Sequence, residues 1–175
     1  MIILGLNYFF HDSTACIVID GQLIAAIEEE RLNREKHTRV FPHLAIARCL
    51  EIANLDYDSI DYIAVSIKPN HNLTRKLGYC LTHLPVLKNV VNHEFGRTIT
   101  KQKGFWNWFN QHWESKRKGP EVHFIPHHLS HAPGSFFVSP YNEAALLGID
   151  GSGEWATTWL GHGMDNKIKC LGESY

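Results

Sequence analysis

The sequence predicts an α/β fold, a mixed sheet carrying a mostly helical insertion. Three observations predict it: strand-like runs open the chain, an amphipathic stretch and a further strand follow them, and strand-like runs return near residues 122 and 144 after a looser region. Ile2 to Asn7 and Ala15 to Asp20 read as buried, β-branched strands, and Asp20-Gly21 is a two-residue hairpin turn leading into Gln22 to Glu28. In His43 to Ala53, Leu44, Ala47, Leu50 and Ile52 recur at near-helical spacing, and Tyr62 to Ile67 is again strand-like. From Asn70 to Pro120 the pattern loosens into an inserted helical lobe, with helices near Thr74 to Asn92 and Phe105 to Glu114 and breaks expected at Gly78, Pro85, Gly96 and Gly104. The core then resumes: Val122 to Ile125 as a strand, a helix starting near Pro126, Ala144 to Ile149 as a strand, and Trp155 to Gly161 with Ile168 to Leu171 as a hairpin pair.

Composition narrows the function. With 17 Lys and Arg against 18 Asp and Glu, the net charge of -1 supplies no global attraction to nucleic acid or anionic membrane. The apolar start breaks at Asn7 and then His11-Asp12, so it reads neither as signal peptide nor as membrane helix. Cys16, Cys49, Cys80 and Cys170 are scattered singly, which fits a reducing, cytoplasmic home. The 12 histidines, partly clustered between His123 and His131, direct attention to metal binding.

In Pro126-His127-His128-Leu129-Ser130-His131-Ala132, a helix starting at the proline brings His127 and His131 onto one face, one turn apart. They can chelate one metal ion, or cap and pack a helix start. The apolar run Ala145 to Ile149 delivers Asp150, a credible third ligand, at a strand end, where α/β sites usually lie. Gly151-Ser152-Gly153 then either lets backbone amides approach a phosphate or makes a hairpin turn. In the loop Asn7 to Ser13, His11 reads either as a general base or oxyanion holder, or as part of a polar turn. The run from Glu28 to His37 reads as a solvated, self-paired charged face, or as Arg34, Lys36 and His37 facing an anionic substrate. Phe105, Phe109 and Trp113 recur every fourth residue beside Lys101, Lys103, Lys116, Arg117 and Lys118; core packing is the favoured reading over an aromatic and basic nucleic-acid surface.

Together these stretches resemble the N-terminal half of the carbamoyltransferase family that includes the nodulation and antibiotic O-carbamoyltransferases. The resemblance rests on Gly5-Leu6-Asn7 with His11-Asp12-Ser13, Glu28 to Arg31 through Lys36-His37, the 127–132 run, and Asp150 to Trp155, in the family's order. It implies an actin-like ATPase (ribonuclease H-like) half-domain, similar to the domain that transfers threonylcarbamoyl to tRNA. It also implies a divalent metal (often iron, with zinc or manganese also suited to the ligands) and ATP as the source of a carbamoyl-adenylate. By the same resemblance His127, His131 and Asp150 are metal ligands, His11 and Lys36 lie near the carbamoyl-adenylate, and Gly151, Ser152 and Gly153 face its phosphate. The implied reaction is carbamoyl transfer from carbamoyl phosphate to a hydroxyl-bearing small molecule. A partner subunit without catalysis and a tRNA-modifying protein are the alternatives. The family pattern continues with a second actin-like half and a carbamoyl-adenylate-forming domain. Neither is expected within residues 1–175, so a second chain supplying the missing half and no turnover by this chain alone are expected.

Overall fold

The structure, a computed structural model, describes residues 1–8, 11–83, 97–113 and 119–175. The expected helical residues 84–92, the breaks at Pro85 and Gly96, Glu114 and the basic residues 116–118 lie outside the described residues. The chain forms two compact units: Met1–Ser66 with His83–Phe124, and Ile67–Thr82 with Ile125–Tyr175.

The first unit is built on a five-stranded mixed sheet in the order β3-β2-β1-β4-β5, comprising β1 (Ile2–Asn7), β2 (Thr14–Ile19), β3 (Gln22–Glu28), β4 (Tyr62–Val65) and β5 (Glu121–Phe124). β1, β2 and β3 form an antiparallel meander, whereas β4 pairs parallel with both β1 and β5. The expected Asp20-Gly21 turn is present with φ of 49° and 84°, a pair that matches the right-handed twist of a hairpin. A single turn, α1 (Glu30–Asn33), follows β3 and ends at Arg34 in the left-handed region. Helix α2 (His43–Ala53) packs on β2 and β3 through Ala45, Ile46, Cys49 and Leu50. Its entry is fixed by Glu29, 3% exposed, whose carboxylate accepts the amide hydrogens of Leu44 and Ala45. The charged run is therefore not wholly a solvated face: Glu29 is drawn inside by two helix-end amides that have no partner within their own helix.

In the same unit, α4 (Arg97–Trp113) is an aromatic helix. Phe105 and Trp108 are buried; Trp108 packs on Phe41 at 5.0 Å between centroids, and Phe105 meets Phe124 of β5 at 5.8 Å. Trp113 is buried beside Tyr57 at 5.7 Å, so the fourfold aromatic spacing is a packing stripe. Gly104 interrupts nothing; it lies inside α4 as Gly78 lies inside α3 (Leu73–Thr82), because a helix interior tolerates one glycine at about 1 kcal/mol when packing holds the flanks. The region expected as one inserted lobe is shared, α3 belonging to the second unit and α4 to the first.

The second unit holds an antiparallel three-stranded sheet, β6 (Glu143–Gly153), β7 (Ala156–Met164) and β8 (Lys167–Ser174), with α3 and α5 (His127–Phe136). Three strands thus stand where a strand and a separate hairpin are expected. They form one meander because β6 runs on past Ile149 to Gly153 and turns tightly through Glu154 and Trp155, both at positive φ. Trp159 of β7 and Phe136 and His128 of α5 fill its interior.

Candidate metal centre

Helix α5 begins where Pro126, with φ -53° and ψ 139°, turns the chain out of the β-region; proline lacks only an amide that a first helical turn cannot use. His127 and His131 then stand one turn apart, their Nε2 atoms 3.1 Å from each other. Between them, His128 points inward, 4% exposed, and its Nε2 lies 3.0 Å from the Ala156 carbonyl oxygen, so it is a satisfied packing histidine.

Asp150 arrives from β6. The β6–β7 register is regular through Ile149 and resumes only at Gly153, so residues 150–152 leave the ladder where the carboxylate emerges. Asp150 Oδ2 lies 2.7 Å from His127 Nε2 and 3.8 Å from His131 Nε2, and the three ligating atoms all fall within 4.8 Å of one another. The other oxygen, Oδ1, accepts the Gly151 amide hydrogen at 2.6 Å. Gly153 has no side chain where His127 passes: a Cβ there would lie 2.5 Å from the ring's Cδ2. Ser152's side chain lies outside the described groups.

Electrostatics holds the pair in the form a cation needs. Burial lowers the His127 pKa more than the Asp150 hydrogen bond raises it, and the hydrogen bond from His127 lowers that of Asp150. Neutral imidazole beside ionised carboxylate is the ligating state of both. His127 Nε2 thus stands between two polar atoms, Asp150 Oδ2 at 2.7 Å and His131 Nε2 at 3.1 Å.

The residue that sequence reasoning missed is Glu154. Its buried carboxylate accepts the amide hydrogens of His127, at 3.3 Å, and of Lys68, and so ties the start of α5 to the segment after β4. Burial raises its pKa, against those two hydrogen bonds. Only its place four residues after Asp150 within the quoted run could have signalled it.

His11 and Lys36 belong to the first unit. His11 Nδ1 lies 2.7 Å from Asp12 Oδ2, and the loop is braced by Asn7, whose Nδ2 donates to the carbonyls of His11 and Asp12. Asp12 Oδ1 lies 2.9 Å from His37 Nδ1, and Asp12 is held below its ordinary pKa by the hydrogen bonds of His11 first and His37 second. Lys36 is exposed. Asp12, Glu30 and His37 form a second convergent cluster, which the sequence reading had not assembled because its members come from three segments.

The chain is similar to known proteins over nearly its whole length. The family model described as carbamoyltransferase N-terminus matches residues 2–173. The uncharacterized protein sll1178 of Synechocystis sp. is 36% identical over 176 residues, covering 95% of this chain and 28% of that protein. The nodulation protein NolNO of Sinorhizobium fredii is 34% identical over 175 residues, covering 94% of this chain and 23% of that protein. The chain thus spans about a quarter of the length of these relatives. Among solved structures, YeaZ from Pseudomonas aeruginosa superposes with a TM-score of 0.50 at 12% identity, covering 99% of this chain and 66% of that one; the shared fold is the actin-like ATPase, ribonuclease H-like fold.

Proposed function

Because the chain belongs to the carbamoyltransferase family, matching its N-terminal region, we propose that it carries the metal-holding part of an O-carbamoyl transfer site. In this reading the donor is a carbamoyl-adenylate made from carbamoyl phosphate and ATP, and the acceptor is a hydroxyl-bearing small molecule. One observation supports the metal-holding part above all: the convergence of His127 Nε2, His131 Nε2 and Asp150 Oδ2.

The donor set fits a divalent transition metal. Ligands about 2.1 Å from a cation stand about 3.0 Å apart at right angles and about 3.4 Å apart at tetrahedral angles. The separations of 2.7, 3.1 and 3.8 Å bracket those values. Two imidazoles and one carboxylate with open positions suit iron(II), and also zinc or manganese. Such an ion, when bound, supplies Lewis-acid polarisation of the reacting carbonyl and charge for the adenylate phosphate.

The chain's own residues do the rest. His127 and His131 hold the ion from a helix face that Glu154 anchors, and Gly153 leaves His127 room to do so. His11 takes the proton from the acceptor hydroxyl; with Nδ1 against Asp12, Nε2 is the nitrogen left for that task. Lys36 faces the anionic donor, and the backbone of 151–153 the phosphate.

The test is metal content and nucleotide binding. Wild type is expected to hold about one iron or zinc through this site, His127→Ala and His131→Ala to lose it, and the metal-loaded chain to bind AMP as a stand-in for the adenylate. Equal metal content in all three proteins removes the centre. Metal binding with no affinity for AMP overturns the transfer reading and leaves a plain metal-binding module.

A further inference from the structure

Helix α5 carries both histidines of the candidate centre but begins after Pro126, which has no side chain able to cap it. The missing acceptor comes from another element: Glu154 takes the His127 amide hydrogen at 3.3 Å and, with its other oxygen, the Lys68 amide hydrogen. Glu154 shares the two-residue β6–β7 turn with Trp155, whose ring meets that of Tyr79 edge-on at 5.0 Å between centroids. Lys68 and Tyr79 both belong to residues 67–82, the arm that contains α3. The turn therefore grips that arm at two points, and one of its two side chains also holds the first residue of α5.

The backbone shows that these two side chains are kept for what they reach. Glu154 and Trp155 stand at φ 55° and 87°, nearly the pair that Asp20 and Gly21 adopt at 49° and 84° in the β2–β3 turn. Such turns favour Asp-Gly or Asn-Gly, since a large side chain is strained at positive φ. The β2–β3 turn uses the favourable pair. The β6–β7 turn carries two large residues instead, and a conformation held against local preference marks a position kept for another role. The arm is fastened again where Glu173 receives Asn72 Nδ2 at 3.1 Å and lies 3.0 Å from His71 Nε2. Lys76 of α3, 7% exposed, bears by its charge on the Glu154 carboxylate.

We propose that Glu154 and Trp155 are positioning residues that couple the α3 arm to the metal centre. With the arm docked, Glu154 holds His127 where its Nε2 converges with His131 and Asp150. With the arm released, the buried carboxylate loses one of its two amide donors and turns toward water, which draws it from the His127 amide as well. Metal affinity then falls. The coupling is reciprocal, so a bound cation also fastens the arm. The proposal rests on His127, His131 and Asp150 being metal ligands, and not on the transfer reaction.

The experiment titrates the whole 175-residue chain with Co²⁺, whose visible absorption reports affinity and ligand geometry together, and follows amide hydrogen exchange of the metal-free chain by NMR. Glu154→Asn with Trp155→Gly installs the pair that suits the turn, so a merely structural role predicts a hairpin at least as stable and an unchanged Co²⁺ affinity. The expected result is instead a roughly tenfold or greater loss of affinity, an altered absorption band, and faster exchange at the His127 and Lys68 amides and within α3. Tyr79→Ala, which alters no ligand, is expected to weaken Co²⁺ binding roughly fivefold, and Trp155→Phe, which keeps a ring against Tyr79, to bind as wild type does. Should the paired variant fail to fold, Tyr79→Ala decides. Unchanged affinity in a folded variant overturns the proposal, and so does a loss of affinity with the arm's exchange unchanged, which confines Glu154 to capping α5. A folded wild type with no affinity for Co²⁺ removes the metal centre and this coupling together.

Discussion

Two carboxylates of the second unit, Glu154 and Glu173, are pushed to opposite sides of the ordinary glutamate pKa, and the number and strength of their donors decide which way. Burial dominates at Glu154 and raises it. At Glu173 burial also acts upward, but hydrogen bonds with His71 at 3.0 Å, Tyr175 at 2.7 Å and Asn72 at 3.1 Å together outweigh it and lower the value. A carboxyl lowered on folding contributes stability above its unfolded pKa of about 4.3, and that contribution is lost as pH falls through the folded value. Glu173→Gln should therefore melt below wild type at pH 7, and the gap should narrow as the pH is taken below 4.3; thermal melts from pH 7 to 3 check this, and a gap that widens in acid contradicts it. At this scale the sequence was legible where chemistry follows spacing: the i, i+4 histidines and the strand-end Asp150 meet as expected in space. Glu154 and Glu29 were illegible, because each acts on amides of a distant segment that no local pattern names.

Helix α5 and the end of β6 approach so closely that the absent side chain of Gly153 decides the position of His127. Alanine there would place a methyl 2.5 Å from Cδ2 and 3.0 Å from Cγ of the imidazole, a clash that only ring or backbone movement relieves. Gly153→Ala is expected to weaken metal binding at least tenfold and to destabilise the fold by about 1–3 kcal/mol. Gly151 is the internal control, since a Cβ there meets nothing within 4 Å. Metal titration and melts of both variants are the measurement; equal affinities would detach the glycine from the centre. The elements themselves were mostly visible in the sequence. β1, β3 and α2 fall on their expected bounds, and α5 starts after its proline. The length of β6 was hidden, because Asp150 to Gly153 is too polar and glycine-rich to resemble a strand and stays extended through the ladder that resumes at Gly153.

Across the whole molecule, local pattern predicts the pieces but not their partition. The opening meander pairs neighbours in sequence, whereas the β1–β4–β5 ladder and the division into two units depend on contacts between distant segments. The β6–β7 pair carries an apolar face: Leu147 and Leu160 lie opposite each other at 62% and 51% exposure, with Ile149 beside them at 74%. Such a face on an isolated chain favours self-association. Light scattering should show a mass that rises with concentration, and Leu147→Lys with Leu160→Lys should give a monomer with an unchanged circular dichroism spectrum; a wild-type chain monomeric throughout would refute this. The same long-range ladder has a further consequence. β4 and β5 are neighbours although residues 66–120 separate them, and the entropy of closing a connection grows only slowly with its length. The stretch is more than a tether, because α4 from within it sets Phe105 against Phe124 of β5 and Trp108 against Phe41: its length is cheap to change, whereas its buried aromatic rings are not.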